Sequence, residues 1–303
     1  MSSVSFIIPV FNKSSFLKLV INSLKNQVGN FKREFIFIDD GSTDNSLNII
    51  KNETKNLKNT FIIKQKNHGS AHATNRGIKL AKMKYIKFLD ADDLIVNYAT
   101  KKLMEILELN SHCILAYGSQ IKVKDLDKAN LNRSIDLNNI KVFKNPLKKA
   151  MRNSMFNPSQ FLVRRKICQI VGGCDERVKF SQEYSLTLRL ALKGSFAMIN
   201  EPLAILPLDS PGQISEKKNN QIYRVSKALE FFIKDNPQIE NKYKLYAQRR
   251  LTARAWRFAR RHNNMGLLSI FFKLYLKGLL KLDINNINEN CFQANKVYEK
   301  FLD

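Results

Sequence analysis

The fold of this chain is decided by one stretch at residues 85–93, which reads YIKFLDADD. Residues 85–89 are mostly aromatic and aliphatic, and such a short apolar window predicts a buried strand. In an extended backbone, residues two apart point to the same side, so we expect the Asp90 and Asp92 carboxylates to face one object. Like charges held this close repel each other unless a cation lies between them. A solvated acidic turn also has this pattern, so both interpretations stay open here.

If a cation lies between these carboxylates, the simplest choice is a hard divalent metal, Mg²⁺ or Mn²⁺. Mg²⁺ takes few protein oxygens and completes its shell with water and substrate phosphates. The metal interpretation therefore predicts a site formed by Asp90 and Asp92, and the solvated acidic turn remains its alternative.

The composition is that of a globular protein with an unusual charge. The 303 residues are 44% hydrophobic and 25% charged, with a net charge of +25. Such a basic chain favours acidic partners, namely nucleic acid, an anionic lipid surface or phosphorylated substrates. The abundance of Lys, Asn and Ile can equally reflect an AT-rich genome.

The sequence also predicts the cellular compartment. The four cysteines form no CxxC pair, which indicates free thiols in a reducing compartment. We see no signal peptide and no apolar run long enough for a membrane-spanning helix, so we expect a cytoplasmic protein.

Strand and helix patterns alternate along the first hundred residues. Apolar runs at 4–10, 34–38, 61–63 and 85–89 predict strands, and amphipathic segments between them predict helices. This order is typical of a doubly wound α/β sheet, which binds ligands beyond the carboxyl ends of its strands. Neither GxGxxG nor GxxxxGK[ST] is present, so neither a Rossmann dinucleotide site nor a P-loop is supported.

Four motifs then occur in order: IPVFN at 8–12, IDDGSTD at 38–44, NHG with ATNRG between 67 and 77, and FLDADD at 88–93. Their order and spacing resemble the family 2 glycosyltransferases. The resemblance implies a GT-A fold, which is a Rossmann-like mixed sheet flanked by helices. It also implies a nucleotide-sugar donor, a divalent metal and inversion at the anomeric carbon.

The resemblance assigns roles to individual residues. Pro9 and Phe11 would line the nucleoside pocket, and Asp40 would hydrogen-bond the base. Asp90 would lie by the ribose and the metal, and Asp92 would bind the metal directly. Asn75, in the third motif, is counted with the nucleotide-sugar-binding residues.

Position 74 departs from the family pattern. Thr74 stands where the family often has an arginine near the diphosphate, which leaves one fewer fixed cation at the leaving group. We expect Arg76 or a nearby lysine to be the candidate substitute.

A second family-like signature lies at residues 181–194, SQEYSLTLRLALKG, which predicts a helix ending at Gly194. The family usually opens this helix with Glu-Asp and uses the Asp as the catalytic base. Here the pair is Gln182-Glu183, so the resemblance places Glu183 in the base position. A carboxylate in the first turn of a helix is also favourable without any catalytic role.

The rest of the first domain is predicted more coarsely. Residues 124–157 indicate a loop-rich insert, and residues 195–208 a short strand pair that closes the domain. We expect a GT-A domain over residues 1–212 and a helical C-terminal appendage over residues 213–303.

The C-terminal region is basic and amphipathic. Six arginines recur between residues 249 and 261, and Lys273, Lys277 and Lys281 are spaced four apart in an apolar run. This pattern suits the surface of an anionic membrane. A helical appendage with solvated cations explains it at least as well, and nucleic acid is the least favoured partner because no known binding motif is present.

The leading hypothesis is therefore an inverting glycosyltransferase, cytoplasmic or peripheral on the inner face of the cell membrane. It would use a nucleoside-diphosphate sugar, by default a UDP-sugar, and a surface glycan or lipid-linked acceptor. One alternative is a non-catalytic nucleotide-sugar-binding or membrane-associated relative. A sugar nucleotidyltransferase is less favoured, because residues 9–13 lack the glycine-rich loop of those enzymes.

Overall fold

The structure is a computed structural model that describes residues 2–133, 139–178, 182–208 and 218–301. The chain divides into two compact units. The first comprises Met1–Pro146 and Ser154–Gln213, and the second comprises Leu147–Asn153 and Ile214–Asp303.

The first unit is built on one mixed sheet. Its strands in the described ranges are β1 (Ser3–Val10), β2 (Lys32–Asp39), β3 (Thr60–Lys64), β4 (Tyr85–Phe88), β5 (Leu94–Ile95), β6 (Cys113–Val123), β7 (Ile140–Phe143), β8 (Phe161–Arg164) and β9 (Ser195–Pro207). The strand order is β3-β2-β1-β4-β8-β6-β9-β5, with β7 paired to β9. Strands β1 to β4 run parallel, whereas β8 is antiparallel to β4 and β6. The predicted mixed α/β sheet is confirmed.

The helices alternate with the strands in the first unit and make up the second. They are α1 (Leu17–Lys25), α2 (Ser46–Glu53), α3 (Ser70–Leu80), α4 (Ala99–Leu109), α5 (Leu147–Arg152), α6 (Arg165–Ile170), α7 (Gln182–Leu190), α8 (Lys218–Asp235), α9 (Asn241–His262), α10 (Ile270–Leu279) and α11 (Ile287–Asn295). Helix α1 shows why they pack on the sheet, since Leu17, Val20, Ile21 and Leu24 share one face and are all buried.

Strand β1 lies at the centre of the parallel part of the sheet, between β2 and β4. Five consecutive residues, Val4 to Ile8, are fully buried, as expected for a strand covered on both faces. Helix α3 packs closely on this strand at Gly77. A Cβ atom at Gly77 would lie only 2.3 Å from Ile7 Cγ2, so a larger residue would push α3 away from β1. Gly77 therefore fixes the position of the residues at the start of α3.

The predicted loop-rich insert at residues 124–157 is mostly irregular in its described part, with the short strand β7 and, in the second unit, helix α5. One sequence prediction for the first unit is wrong. The strand pair expected at 195–208 is instead one strand of 13 residues, β9. The sequence favours two strands there because Asn200, Glu201 and Pro202 interrupt the apolar pattern. Strand β9 continues through this interruption, and its pairing with β6 shifts register there, between Tyr117 and Gln120.

The second unit is a bundle of helices around α9. Helices α5, α8, α10 and α11 all pack against α9. The buried core of α9 includes Ala255, Trp256, Phe258 and Ala259, and Phe271 and Leu274 of α10 pack against it. Across the described ranges, no helix has both the length and the apolar character needed to span a bilayer.

Candidate active site

The loops after β1 and β2 are joined at the carboxyl edge of the sheet. Parallel strands place their carboxyl ends at one edge, and here the two loops bond directly. The Asn12 backbone N–H donates to Ser42 Oγ at 3.1 Å, and Asn12 Oδ1 accepts from the Thr43 backbone N–H at 2.8 Å. Asn12 adopts a left-handed conformation with φ of 50°. The first two predicted motifs therefore form one continuous rim.

Asp40 is buried beneath this rim and holds a neighbouring turn. Its Oδ1 accepts from Gln65 Nε2 at 2.6 Å and from the His68 backbone N–H at 3.0 Å. Its Oδ2 accepts from the Gly69 backbone N–H at 2.8 Å. Asp40 thus fixes the turn that leads into α3. The base-binding role implied for Asp40 stays a prediction.

The acidic stretch after β4 is a turn rather than extended backbone. The Asp93 backbone N–H donates to the Asp90 carbonyl at 3.1 Å. Ser159 holds both ends of this turn: its Oγ accepts from the Asp90 backbone N–H at 3.1 Å and donates to Asp93 Oδ2 at 2.6 Å. The argument from extended geometry at Asp90 and Asp92 was therefore wrong, although the carboxylates do lie close enough to interact.

A lysine from the first loop neutralises part of this acidic turn. Lys13 Nζ lies 2.6 Å from Asp92 Oδ2. Arg76, one candidate substitute for the cation missing at Thr74, instead donates to Gln65 Oε1 at 2.9 Å. The lysine at the acidic turn is therefore Lys13, which sequence reasoning had not singled out.

One pocket brings several predicted residues together. It is lined by Pro9, Thr74, Phe88, Asp90, Pro158, Phe161, Cys174, Glu183 and Leu186. Glu183, more than ninety positions from Asp90 in the sequence, thus lines the same pocket. Phe11 is 45% exposed and lies outside the lining.

Burial and like charge raise the proton affinity of the pocket carboxylates. Burial first, and then the charges of Asp92 and Glu183, raise the pKa of Asp90 to about 8. Burial also raises the pKa of Glu183, although a hydrogen bond with Ser154 partly opposes this. A cation bound near these carboxylates would reduce their mutual repulsion and lower their pKa values.

The residues present fit a divalent metal of the Mg²⁺ type. Mg²⁺ is commonly held by one or two carboxylates with water and substrate phosphates, and Asp90 and Asp92 supply such oxygens. In the ranges that the structure describes, no three His, Cys, Asp or Glu side chains are grouped as a complete protein ligand set. Such a site therefore needs oxygens from water or a bound ligand.

Asn75 is not among the residues that line the pocket. Its side chain takes part in a group of hydrogen bonds with Cys174 and Glu176, here called the clamp. Its Nδ2 donates to the Cys174 carbonyl at 3.0 Å and to Glu176 Oε1 at 2.7 Å, and its Oδ1 accepts from the Cys174 backbone N–H. His72 Nδ1 lies 2.9 Å from Glu176 Oε2. The clamp joins α3 to the turn that precedes the second signature. The donor-binding role implied for Asn75 stays a prediction.

The mixed sheet, with its acidic turn after β4 and a pocket at its carboxyl edge, defines the GT-A class of fold. The model of the family described as "Glycosyl transferase family 2" matches residues 5–171. This match covers more than half of the chain, so the chain belongs to that family.

Curated relatives agree with this family over shorter ranges. An uncharacterized glycosyltransferase of Haemophilus influenzae is 38% identical over 123 residues, which are 39% of this chain and 47% of the relative. The poly(ribitol-phosphate) β-N-acetylglucosaminyltransferase TarP of Staphylococcus aureus is 37% identical over 134 residues, 43% of this chain and 41% of TarP. The chain thus spans less than half the length of these curated relatives.

Solved structures share the fold over almost the whole chain. TarS residues 1–349 from S. aureus, in complex with UDP, has a TM-score of 0.65 at 15% identity and covers 99% of this chain and 91% of that one. A Pyrobaculum calidifontis mannosyltransferase in complex with GDP-Man and Mn²⁺ has a TM-score of 0.61 at 14% identity, covering 98% and 86%. At these identities the likeness establishes the fold.

The contacts of Asp40 lead to a stability prediction. We expect Asp40→Asn to destabilise the protein by about 1–3 kcal/mol, because an amide cannot accept from all three donors and its own N–H groups oppose them. Chemical denaturation without ligand measures this, with the exposed Asp127→Asn as control. A variant as stable as the wild type, but unable to bind nucleotide, would instead support the base-binding role alone.

Proposed function

We propose that this family 2 glycosyltransferase transfers a sugar from a nucleoside-diphosphate donor to an acceptor hydroxyl, with inversion at the anomeric carbon. The observation that carries the proposal is the shared pocket of Asp90 and Glu183. One carboxylate belongs to the donor end of the site and the other to the predicted base position, and both line one cavity.

Glu183 is the proposed general base. The acceptor oxygen forms a bond to the anomeric carbon while the bond from that carbon to the diphosphate oxygen breaks. The acceptor proton passes to the Glu183 carboxylate, and the nucleoside diphosphate leaves with the electron pair. A raised pKa brings a carboxylate closer to the working pH, and general-base catalysis contributes roughly 10²- to 10⁴-fold.

Asp90 and Asp92 are the residues that would hold a divalent metal, and a bound metal would supply Lewis-acid neutralisation of the departing diphosphate. Lys13 lies at the same carboxylates and provides a further positive charge on the donor side. The mannosyltransferase neighbour, in complex with GDP-Man and Mn²⁺, supports the metal proposal by analogy of fold.

For the donor we propose a UDP-sugar, and for the acceptor a glycan or lipid-linked saccharide. TarS, whose fold this chain shares, is named in complex with UDP. TarP, a relative in sequence, is named for transfer to poly(ribitol-phosphate), an anionic polymer. The net charge of +25 supports an acidic acceptor as well.

The metal proposal predicts that the binding of UDP depends on Mn²⁺. We expect UDP with Mn²⁺ to raise the thermal stability of the wild type, because a ligand that binds only the folded state stabilises it by about 2.7 kcal/mol at a hundred times its dissociation constant. Asp92→Asn should lose the Mn²⁺-dependent part of the shift. A thermal-melt series with other nucleoside diphosphates and an Asp127→Asn control tests this, and equal shifts in Asp92→Asn and wild type would contradict it.

The base proposal predicts a specific kinetic defect. We expect Glu183→Gln to lower kcat by roughly 10²- to 10⁴-fold while donor binding is retained, because the amide cannot accept the proton. In the wild type, activity should fall as the pH drops through the raised pKa of Glu183, above the ordinary glutamate value of 4.5. A matched Glu201→Gln variant should keep the wild-type profile.

The same kinetic series separates the alternatives. Donor binding without a glycoside product in the wild type would indicate the non-catalytic relative. Release of pyrophosphate from a nucleoside triphosphate and a sugar phosphate would indicate the nucleotidyltransferase.

We also propose that the second unit contacts an anionic membrane surface. Helix α10 buries Phe271, Leu274 and Gly278 and turns Ile270 and Leu276 outward. The preceding loop exposes Leu267 by 66% and Leu268 by 92%. These outward apolar side chains, with those of Leu279, Leu280, Leu282 and Ile284, are here called the outer apolar face.

Charge favours lipid over a second copy of the chain on this face. Residues 264–284 contain Lys273, Lys277 and Lys281 and a single acidic residue, Asp283. Lys277 pairs with Asp283 at 2.7 Å, whereas Lys273 and Lys281 are exposed. A second copy would bring like charges together, whereas an anionic bilayer takes both the apolar side chains and the cations.

Vesicle sedimentation tests the membrane proposal. We expect binding to vesicles of phosphatidylcholine and phosphatidylglycerol, weak binding to pure phosphatidylcholine, and loss of binding in a Leu267→Ser, Leu268→Ser double variant. Leu109→Ser, which removes an apolar side chain that is 75% exposed in the first unit, is the matched control. Unchanged vesicle binding in the double variant would contradict the membrane proposal. A concentration-dependent dimer of the wild type in the absence of lipid would also contradict it.

A further inference from the structure

A charged side chain is completely buried in the central sheet beside the candidate site. Lys87 lies in the middle of β4, opposite Phe6 of β1 and Leu162 of β8, and is 0% exposed. Burying an ammonium group is costly unless nearby groups compensate it. Burial lowers the pKa of Lys87 to about 7, although the charges of Asp93 and Asp90 oppose this. Lys87 therefore occupies a position where an apolar side chain could be buried at a lower cost in free energy.

The contacts of Lys87 lead directly to the acidic turn. Its Nζ donates to the Phe88 carbonyl at 3.0 Å and to the Ser159 carbonyl at 2.5 Å. Ser159 in turn bonds both ends of the turn, through the Asp90 backbone N–H and the Asp93 carboxylate. The Lys87 ammonium group thus binds the backbone of Ser159, and the Ser159 side chain in turn binds both ends of the acidic turn.

Lys87 also offsets charge that Lys13 does not reach. Lys13 pairs with Asp92 at the solvent side, whereas Asp93 is only 4% exposed. Ser159 Oγ donates to Asp93 Oδ2 at 2.6 Å, and the Lys87 ammonium group interacts electrostatically with Asp93 and Asp90. The acidic turn therefore has Lys13 at its more exposed carboxylate, Asp92, and Lys87 near its buried carboxylate, Asp93.

We propose that Lys87 is a positioning residue for the metal-binding turn, acting through Ser159 to fix Asp90 and to balance the Asp93 carboxylate. The inference rests on the proposed function, because it assigns Lys87 a role toward the divalent metal. Removal of a residue that hydrogen-bonds to a metal ligand and orients it typically lowers the metal affinity by about 10- to 100-fold.

The test is Mn²⁺ binding in the absence of substrate, measured by electron paramagnetic resonance of the free ion. We expect Lys87→Met, which keeps the length of the side chain, to bind Mn²⁺ about 10- to 100-fold more weakly than the wild type. Ser159→Ala should also bind more weakly, since it breaks the link without removing the charge. Lys84→Met, on the same segment but half-exposed beside Glu108, should bind as the wild type does.

A double variant separates positioning from general stability. Lys87→Met removes the buried ammonium group that interacts electrostatically with the Asp93 carboxylate, so Lys87→Met with Asp93→Asn, which removes that carboxylate charge as well, should recover most of the lost affinity. A purely structural role would lower the thermal stability of Lys87→Met and leave the Mn²⁺ affinity of the folded protein unchanged. That result overturns the proposal, and if Lys87→Met does not fold, wild-type affinity in Ser159→Ala overturns it instead.

The same titration distinguishes the two levels of inference. If the wild type and Asp92→Asn titrate identically with Mn²⁺, the metal part of the proposed function fails, and the role of Lys87 fails with it. If the wild type binds Mn²⁺ through Asp92 and Lys87→Met binds equally well, the inference on Lys87 alone is overturned.

Discussion

The physical constraint on which the site depends is the repulsion among carboxylates gathered at the end of β4. Asp90, Asp92 and Asp93 occupy one tight turn, and Glu183 enters the same pocket from α7. Such a cluster either takes up protons, which the raised pKa of Asp90 favours, or needs positive charge close by. The fold supplies Lys13 from the loop after β1 and Lys87 from inside the sheet. These two lysines offset part of the negative charge of the turn.

The alternation of strands and helices, and the family itself, could be predicted because both are encoded locally. The buried strands are continuous apolar runs such as residues 4–8, and the motifs follow those strands at short range. The conformation of the acidic turn could not be predicted in this way. It is set by Ser159, which lies 69 positions from Asp90 and has no pattern of its own in the sequence.

The same contrast applies to the individual site residues. Pro9, Asp90 and Glu183 line one pocket, as the resemblance led us to expect of a single site. Asp40 and Asn75 form hydrogen bonds that the motifs do not reveal, because their backbone and side-chain partners lie 25 or more positions away in the sequence. Lys87 was hidden in the apolar run that predicted β4. A lysine within such a run is the one signal that could have drawn attention to it.

Helix α5 has a consequence for how the protein is made. The chain leaves the first unit after Pro146, contributes residues 147–153 to the second, and returns at Ser154. The buried side chains of α5, Leu147, Ala150 and Met151, belong to the unit formed with α9, which is synthesised much later. During translation this apolar segment is therefore synthesised before the helix that it packs against. Truncation near residue 213 would remove α9 and expose the side chains of α5 that it covers, so the first unit cannot be isolated by a single cut there.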